Sequence, residues 1–355
     1  MNKHDVFRIH SQIIRDYSDF VTSFINISDD RIRLVVESEL GDGRYWPEPL
    51  IQFNPAFKMA ETTSKLCSDG VLHPDLQAIF GDYRLFRHQV EALRLGIQGK
   101  DFVVTSGTGS GKSLTYLGTI FNTLLQQPRE PGIKAIIVYP MNALINSQFN
   151  EIGKYKDNYE KTRGVQFPIS YAKYTGQENE EQREAVRTGL HDIILTNYMM
   201  LELILTRAQE NRIRDSICNG LQFLVFDELH TYRGRQGADV AMLIRRIKAQ
   251  SNGPIRCIIL EQKQKVAEVA TTLFGSEFGA DQVIMEYLEP CFLGGGLPDA
   301  RELAEALSTG IDEKASEDTL LKHPLSRWLE QSIALGNNQG VLVRGTPTAL
   351  SQIAE

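Results

Sequence analysis

Short apolar segments alternate with helix-like segments through the middle of this 355-residue chain. Each apolar segment is too short for a helix and is rich in Val, Ile, Leu and Phe, which is typical of a strand buried on both faces. Strands that alternate with helices predict a mostly parallel α/β sheet, and such a sheet binds ligands at the carboxyl ends of its strands. The predicted strands lie in DFVVT, KAIIVYP, FPISYAKYTG, DIILTN, LQFLVFDE and PIRCIIL, and helices are predicted over 112–126, 142–156, 198–216 and 237–250.

The flanking segments carry fewer signals. We predict an N-terminal accessory region over residues 1–80, the α/β domain over 81–275, and an α-rich insert or linker over 276–355. In the first region, apolar spacing over 6–25 predicts a helix and RIRLVVES predicts a short strand. Near the end of the chain, Thr346 and Pro347 are predicted to cap and begin a helix.

The composition is that of an ordinary globular protein, with 42% hydrophobic and 23% charged residues. The formal net charge of −7 excludes a broadly basic surface that coats nucleic acid, so any nucleic-acid contact must be local. The charged N-terminus has no apolar core of a signal peptide, and no apolar run is long enough to span a membrane. The cysteines form no CxxC pair, which argues against a zinc site. We therefore expect a cytoplasmic protein with no membrane partner.

The segment TSGTGSGKS predicts a phosphate-binding loop. It follows an apolar strand and opens a helix, and its glycines let backbone N–H groups converge on an anion at the helix N-terminus. The lysine can reach the β- and γ-phosphates of ATP, and the serine after it can ligate Mg²⁺. A flexible glycine turn is the alternative, and Ser106 stands where the strict pattern has Gly or Ala. The predicted nucleotide-binding residues of this loop are Thr108, Gly109, Ser110, Gly111, Lys112 and Ser113.

The segment LVFDELH supplies a second acidic element for the same site. Asp227 directly follows an apolar run, so we expect it at the carboxyl end of a strand, where it would hold Mg²⁺ together with Ser113. Glu228 would orient or activate the attacking water. A solvated Asp-Glu pair at a strand end is the alternative. With Lys112, these two carboxylates are the predicted catalytic residues.

The segment YRLFRHQVEAL precedes the phosphate loop by about twenty residues. Gln89 offers a donor and an acceptor, which is the pair needed to bind the edge of adenine. Phe86 or Tyr83 would stack on the adenine ring. The alternative is the start of an ordinary amphipathic helix.

Taken in order, FRHQ, SGTGSGKS and DELH resemble the Q motif, motif I and motif II of superfamily 2 helicases of the DExH type. Between them, VYPMNALINSQ, YTGQ and LTNYMML resemble motifs Ia to Ic. The continuation DELHTYRGRQGADV is similar to a Thr-Tyr-Arg-Gly branch of DNA-repair helicases. It is also similar to the large helicase subunits of bacterial anti-phage systems of the Druantia and DISARM type. The resemblance implies a RecA-like fold over residues 81–275 and the use of ATP and Mg²⁺.

The resemblance also implies partners for the chain. A nucleic-acid strand, with DNA favoured over RNA, would be held opposite the ATP by small polar residues and backbone N–H groups. A second RecA-like domain of the same parent protein and subunits of a defence system are the other implied partners. The residues implied to contact nucleic acid are Pro140, Asn142, Asn146, Thr175, Gly176, Thr196, Asn197 and Arg233, and His230 is implied to couple the two sites.

Several of these residues have ordinary structural alternatives. Asn142 could cap the following helix, and Thr196 with Asn197 could form a turn. Arg233 and Arg235 could contact nucleic acid or a neighbouring domain, or could lie in a solvated loop.

The sequence departs from the family at two points. The Ser-Ala-Thr of motif III is missing after PIRCIIL, and no Gln-x-x-Gly-Arg-x-Gly-Arg motif of a second motor domain occurs. The arginine finger that the second motif supplies increases the rate of hydrolysis by about 10³–10⁵ in related NTPases. We therefore expect these residues alone to hydrolyse ATP slowly or not at all. Two functions stay open. One is the N-terminal motor half of an ATP-dependent helicase or translocase, and the other is a nucleotide-dependent switch or scaffold that recruits partners without moving along nucleic acid.

Overall fold

The computed structural model describes residues 6–41, 48–107, 109–189, 191–232, 234–261, 266–275, 278–292, 296–312, 314–338 and 340–354. Contacts divide the chain into two units, one formed by residues 56–289 and the other by residues 1–55 with 290–355. The unit that holds the main sheet therefore includes strands outside the predicted range of 81–275. The domain boundaries at 80/81 and 275/276 stay predictions.

Strands and helices are numbered along the chain. The strands are β1 (Leu50–Ile51), β2 (Ala56–Phe57), β3 (Met59–Thr62), β4 (Arg84–Phe86), β5 (Phe102–Thr105), β6 (Ala135–Val138), β7 (Tyr171–Tyr174), β8 (Ile193–Thr196), β9 (Phe223–Phe226), β10 (Arg256–Glu261), β11 (Val283–Met285), β12 (Leu288–Glu289), β13 (Leu335–Asn338), β14 (Val341–Arg344) and β15 (Thr348–Ala349). The helices are α1 (Val6–Ser23), α2 (Asp30–Gly41), α3 (Thr63–Ser68), α4 (Asp75–Phe80), α5 (Arg87–Ile97), α6 (Lys112–Gln126), α7 (Asn142–Arg163), α8 (Glu180–Gly189), α9 (Tyr198–Thr206), α10 (Asn211–Gly220), α11 (Arg235–Gln250), α12 (Val266–Phe274), α13 (Ala300–Thr309), α14 (Glu317–Lys322), α15 (Pro324–Leu329) and α16 (Leu350–Ala354).

The main sheet of the 56–289 unit has seven strands in the order β11-β5-β10-β9-β6-β8-β7. Every neighbouring pair in it is parallel. Each of the six strands predicted from the sequence is present, as β5 to β10, so the predicted α/β fold with a mostly parallel sheet is confirmed. The seventh strand, β11, extends the sheet beyond β5 and lies outside the predicted domain range.

Both faces of this sheet are covered by helices, as its apolar strands require. Successive residues of one strand point to opposite faces, so Phe102 and Val104 of β5 pack in one core while Val103 packs in the other. The first core also contains apolar residues of α4, α5, α6 and α7, and the second contains those of α9, α10, α11 and α12. Because all seven strands run in the same direction, the loops that follow them lie at one edge of the sheet.

The predicted helix over 198–216 is broken in the structure. α9 ends at Thr206, a 3₁₀ turn spans Ala208–Glu210, and α10 begins at Asn211. Glu210 is 1% exposed, and its carboxylate accepts hydrogen bonds from Arg187 at 2.9 Å and from the Tyr174 hydroxyl at 2.7 Å. A buried carboxylate needs such partners, and the turn between the helices points Glu210 toward them. The other predicted helices are present, and α7 extends to Arg163.

The second unit corrects two predictions. RIRLVVES, predicted as a strand, lies in helix α2, where the Asp29 carboxylate accepts from the backbone N–H groups of Arg31 and Ile32. The predicted cap at Thr346 is also wrong, because Thr348 and Ala349 form a strand that pairs with β1 and the helix begins at Leu350. A pairing partner almost 300 residues away leaves no local signal. The predicted N-terminal helix is present as α1.

No helix within the described ranges is both long and apolar enough to cross a membrane.

The close contact between α5 and α6 gives a test of the packing. A Cβ on Gly96 would lie 2.4 Å from Thr119 Cγ2 and 2.5 Å from Thr119 Oγ1. We expect Gly96→Ala to lower the free energy of unfolding in urea by about 1–3 kcal/mol, because the two helices must separate. Gly253→Ala is the matched control, since a Cβ on Gly253 would have no atom within 4 Å, and it should change stability by less than about 0.5 kcal/mol. Equal effects would contradict the close helix packing.

Candidate nucleotide site and nucleic-acid interface

The phosphate-loop segment and the DELH segment meet at one edge of the sheet. The first follows β5 and the second follows β9, and only β10 lies between these strands. Lys112 Nζ lies 3.4 Å from Glu228 Oε1, although the two residues are 116 positions apart. The Lys112 side chain is 11% exposed and that of Glu228 is 23% exposed. The structure thus brings the predicted lysine and the predicted acidic pair together.

Glycine is required at two positions of the phosphate loop. Gly109 has φ of 78° and Gly111 has φ of 65°, and side chains rarely adopt this left-handed region. A Cβ on Gly111 would also lie 2.5 Å from the side-chain nitrogen of Gln89. Ser106, the departure from the strict pattern, is 4% exposed, and its hydroxyl is 2.6 Å from that of Ser110. The serine therefore fits by adding a hydrogen bond inside the loop.

The FRHQ segment holds the phosphate loop through hydrogen bonds. Gln89 accepts from the backbone N–H of Phe86 at 2.9 Å and donates to the carbonyl of Gly111 at 3.0 Å. His88 Nε2 lies 2.9 Å from the Ser110 carbonyl, and because a carbonyl only accepts, this nitrogen carries the proton. Burial lowers the pKa of His88, which favours the neutral ring. Phe86 packs on His88 and on Phe57, with ring centroids 5.6 Å and 5.1 Å away.

These contacts bear on the predicted role of Gln89 in binding adenine. Both ends of its side-chain amide bond the chain itself in this structure, so contact with a base requires exchange of at least one of those bonds. The structure does show a role that the sequence analysis missed, which is the attachment of α5 to the phosphate loop. A Phe-x-His-Gln pattern ahead of a glycine-rich loop is the only sequence signal for it.

Asp227 and Glu228 lie in unusual surroundings at the end of β9. Burial raises the pKa of Asp227 to about 6, and repulsion from Glu228 adds to this while Lys112 opposes it. Glu228 has φ of 50°, the one positive φ among non-glycine residues in the described part of the chain. This left-handed conformation costs about 1–2 kcal/mol. Backbone strain of this kind is concentrated at functional sites.

Two side chains of the chain are suited to hold a magnesium ion. The hydroxyl of Ser113 lies in the first turn of α6, and the carboxylate of Asp227 lies at the end of β9. No group of three or more His, Cys, Asp or Glu side chains within the described ranges could bind a metal. A two-ligand set fits Mg²⁺ in nucleotide sites, because phosphate oxygens and water complete its octahedral shell.

Some predicted positions lie outside the described residues. These are Thr108 and Arg233, together with the side chain of His230 and residues 262–265 that follow β10. Arg235 is described, and it is exposed in the first turn of α11.

The described residues among those implied to contact nucleic acid lie at the same edge of the sheet, at or after the ends of β6, β7 and β8. Asn197 donates to Asn142 Oδ1 at 2.9 Å and to the Thr175 carbonyl at 3.3 Å, and it accepts from the backbone N–H of Met200 at 2.8 Å. Asn197 therefore caps α9 and joins the three loops. Thr196 is fully buried, and its hydroxyl donates to the Tyr174 carbonyl. Asn142 is the first residue of α7 and Met141 is its N-cap, so the capping alternative for Asn142 is wrong.

A carboxylate that the sequence analysis missed holds the YTGQ loop. Glu178 accepts from the backbone N–H of Thr175 at 2.9 Å, from the Thr175 hydroxyl at 2.7 Å and from the backbone N–H of Gly176 at 2.8 Å. Burial of Glu178 favours its protonated form, but these hydrogen bonds outweigh burial and hold its pKa below the usual value. The same N–H groups that were predicted to hold a phosphate are thus bonded to an internal anion. In the sequence, this contact is indicated only by the Thr-x-x-Glu spacing of Thr175 and Glu178, which is typical of a capping box.

The sequence analysis also missed a cation at this edge. Lys173, the third residue of β7, donates from Nζ to Asn146 Oδ1 at 2.8 Å and lies over the Phe149 ring. Asn146 is exposed on α7, and Pro140 is partly exposed ahead of that helix. A lysine beside exposed polar groups supplies local positive charge on an acidic chain.

The buried Asp227 carboxyl predicts an unusual pH dependence of stability. Its pKa is about 6 in the fold against a usual 3.8, so folding takes up a proton between these pH values and stability falls as pH rises through them. In buffer with EDTA we expect Asp227→Asn to raise the free energy of unfolding at pH 7.5 by about 1–3 kcal/mol. At pH 4 the gain should be small. An Asn variant that is no more stable than the parent at pH 7.5 would show that the carboxylate is well solvated.

The described geometry can be set beside known proteins. A DEAD/DEAH box helicase family model matches residues 86–272. The chain is 28% identical over 201 residues to the ATP-dependent helicase MJ1574 of Methanocaldococcus jannaschii, which is 55% of this chain and 28% of that protein. It is 25% identical over 326 residues to the Druantia protein DruE of Escherichia coli, covering 59% of this chain and 18% of that protein. The chain thus spans less than a third of the length of these relatives.

Solved structures share the fold. The helicase MrfA bound to DNA gives a TM-score of 0.55 at 23% identity, over 70% of this chain and 34% of that chain. The helicase Lhr of Mycobacterium smegmatis, bound to single-stranded DNA and AMP-PNP, gives 0.55 at 21% identity, over 63% and 29%. These likenesses confirm the RecA-like helicase fold that the motifs implied. The family match begins at FRHQ, includes SGTGSGKS and DELH, and covers more than half of the 355 residues. The chain therefore belongs to the DEAD/DEAH box helicase family.

Proposed function

We propose that this chain is the N-terminal motor half of an ATP-dependent DNA helicase or translocase that acts in anti-phage defence or DNA repair. The observation that carries the proposal is the 3.4 Å approach of Lys112 Nζ to Glu228 Oε1 across the carboxyl edge of one sheet. A lysine and a carboxylate from two motifs are thereby adjacent, beside a glycine loop whose backbone N–H groups would hold phosphates. That combination suits a nucleoside triphosphate.

In the proposed site each residue has a defined task. The backbone of Gly109 to Ser113 and the Lys112 ammonium hold the phosphates, while Ser113 and Asp227 hold the magnesium ion. Bound Mg²⁺ would neutralise the charge that develops on the phosphates. Glu228 exchanges its ion pair with Lys112 for a water molecule, which it orients toward the γ-phosphate. Gln89 and Phe86 lie beside the loop, where the base would be held.

The proposed nucleic-acid path crosses the loops after β6, β7 and β8. Pro140, Asn142, Asn146, Gly176 and Lys173 present polar or backbone groups there, and Asn197 ties the loops together. Small polar groups and backbone N–H groups hold phosphates regardless of base. DNA is favoured because MrfA and Lhr were solved with DNA, although the Mss116 helicase, of the same fold, was solved with single-stranded RNA.

The wider setting is part of the same proposal. The similarity to DruE supports a role beside defence-system subunits, and a second RecA-like domain of the parent protein would complete the ATP site. Residues 81–275 are proposed as the motor domain, 1–80 as an accessory region and 276–355 as the start of an insert. The proposed location is the cytoplasm.

A nucleotide-dependent switch or scaffold is the second candidate function. The absence of Ser-Ala-Thr after β10 favours it, because that motif is expected in a helicase that moves along nucleic acid. A switch would bind nucleotide and change its affinity for partners, but the parent protein would not translocate. Movement of the full-length protein along single-stranded DNA therefore separates the two candidates.

The nucleotide site is tested by two substitutions in the motif residues. We expect Lys112→Ala to weaken binding of a fluorescent ATP analogue with Mg²⁺ by about a hundredfold or more, because the lysine contacts the phosphates. Glu228→Gln should change that affinity by less than about threefold and stop turnover in the full-length protein. Lys100→Ala is the control, since this lysine lies before β5 at the opposite edge of the sheet and pairs with Asp281. Unchanged nucleotide affinity in the Lys112 variant would refute the proposed site.

The proposed strand path is tested through its salt dependence. We expect Lys173→Ala to raise the dissociation constant for a labelled single-stranded oligodeoxynucleotide about threefold to tenfold, and to reduce the slope of log K against log salt by about 0.7. Lys154→Ala is the matched control, because this lysine is exposed on α7 and paired with Glu151. If both variants give the same slope as the parent chain, the strand does not pass β7.

A further inference from the structure

Two buried tyrosines lie beneath the carboxyl edge of the sheet. Tyr116 is on α6, three residues after Ser113, and Tyr139 directly follows β6. Both side chains are fully buried, and their hydroxyl oxygens are 2.8 Å apart. The pair therefore joins the helix that opens at the phosphate loop to the segment that leads into Pro140 and α7.

The hydrogen-bond order in this pair follows from its neighbours. The Tyr116 hydroxyl donates to Gln148 Oε1 of α7 at 3.5 Å, which leaves its oxygen free to accept from the Tyr139 hydroxyl. Burial raises the pKa of both tyrosines, and the negative charge of Asp227 raises it further. Tyr116 also lies about one helical turn from Ser113 on α6, so the pair is close to the residues suited to hold magnesium.

Both buried hydroxyls are hydrogen-bonded, which a buried polar group requires if it is not to destabilise the fold. Phenylalanine at both positions would fill nearly the same space with no buried hydroxyl to satisfy. The Tyr116 hydroxyl has one proton and faces the oxygens of Tyr139 and Gln148, so it can donate to only one of them at a time. Its orientation therefore has two discrete alternatives, one toward Tyr139 and one toward Gln148.

We propose that the Tyr116–Tyr139 pair is a positioning element that couples the nucleotide site to the strand-holding loops. When a ligand at Ser113 moves the first turn of α6, the hydrogen bonds of Tyr116 rearrange, and Tyr139 and Gln148 pass the change to both ends of the segment 139–148, which contains Asn142. The inference rests on the proposed function and adds two residues and a route between its two sites. Hydrogen bonds between elements that have alternative arrangements are the physical basis for such coupling.

The test measures how nucleotide changes strand affinity in the whole chain. The dissociation constant of a labelled single-stranded oligodeoxynucleotide is determined with and without AMP-PNP and Mg²⁺, and the ratio of the two values is the coupling factor. We expect a factor of about five or more in the parent chain. Tyr116→Phe and Tyr139→Phe should each reduce it to less than about twofold, and the double variant should lose no more than either single variant, since the residues act as a unit. Affinity for AMP-PNP alone should change less than about threefold.

Two further variants keep the test decisive. Tyr159→Phe is the matched control, because Tyr159 is a buried tyrosine on α7, the helix that carries Gln148, and its hydroxyl bonds Asp75 instead. It should leave the coupling factor unchanged. Gln148→Leu removes the acceptor of Tyr116 from a partly exposed position, so it tests the route even if a core variant unfolds, and it should also lower the factor.

The inference is overturned if the phenylalanine variants and Gln148→Leu keep the coupling factor of the parent chain. It is also overturned if the parent chain binds both ligands with a factor of one, while the proposed function then still stands on the Lys112 test. A parent chain that binds neither ligand would remove the proposed function itself and the inference with it.

Discussion

Parallel pairing of β5, β10 and β9 is the constraint on which the candidate site depends. Val103 of β5 pairs with Ile259 of β10, and Ile259 pairs with Phe226 of β9, so the three strands run level and in the same direction. The segments that follow them must then emerge at one edge of the sheet. No local preference of the glycine loop or of DELH could bring them together, since more than a hundred residues separate them. The sheet does so by hydrogen bonds between main-chain groups.

The described loops at this edge bond to carboxylates of the protein itself. Glu178 bonds the N–H groups of Thr175 and Gly176, and Glu286 Oε2 accepts from the N–H of Gly107 at 2.9 Å. Glu228 pairs with Lys112. Backbone N–H groups that are buried or partly buried, and a largely buried lysine, are costly without an anion. The internal carboxylates satisfy these groups in the protein alone, and anionic ligands that bind there must compete with them. Affinity at both proposed sites therefore depends on how easily each carboxylate is displaced.

The sequence was sufficient for most of the sheet, because strands buried on both faces have recognisable apolar runs, as in β5, β6, β8 and β9. The seventh, β11, is three residues long and was not predicted, since Val283–Met285 is too short to give a pattern. For RIRLVVES the sequence predicted a strand, whereas the structure has a helix. Its β-branched residues favour a strand, but the cap from Asp29 and the ion pair between Arg33 and Asp30 favour a helix. Without sheet neighbours for this segment, the local interactions decide.

For the site, motif spacing predicted which residues converge but not which of their hydrogen bonds are already made. The amide of Gln89 and the side chain of Asn197 were predicted to bind a ligand, whereas the structure uses both to fasten loops. Such contacts depend on distances between elements far apart in sequence. The Tyr116–Tyr139 bond has the same character, since each tyrosine alone is an ordinary core residue. Sequence patterns predict which residues face a ligand, and the structure is needed to identify the residues that hold them in place.

Asp227 and Glu228 both lower the stability of the fold at the edge of the sheet where a ligand is proposed to bind. Burial of Asp227 raises its pKa to about 6, so near neutral pH the fold carries an ionised carboxylate that it solvates poorly. Glu228 adds backbone strain beside it. A cation at Asp227 would relieve the first of these costs, and a ligand that binds only the folded state stabilises it in proportion to its affinity. The cost of the poorly solvated Asp227 carboxylate would therefore contribute to the affinity for a cation-bearing ligand, and this makes a purely structural role for DELH the weaker interpretation.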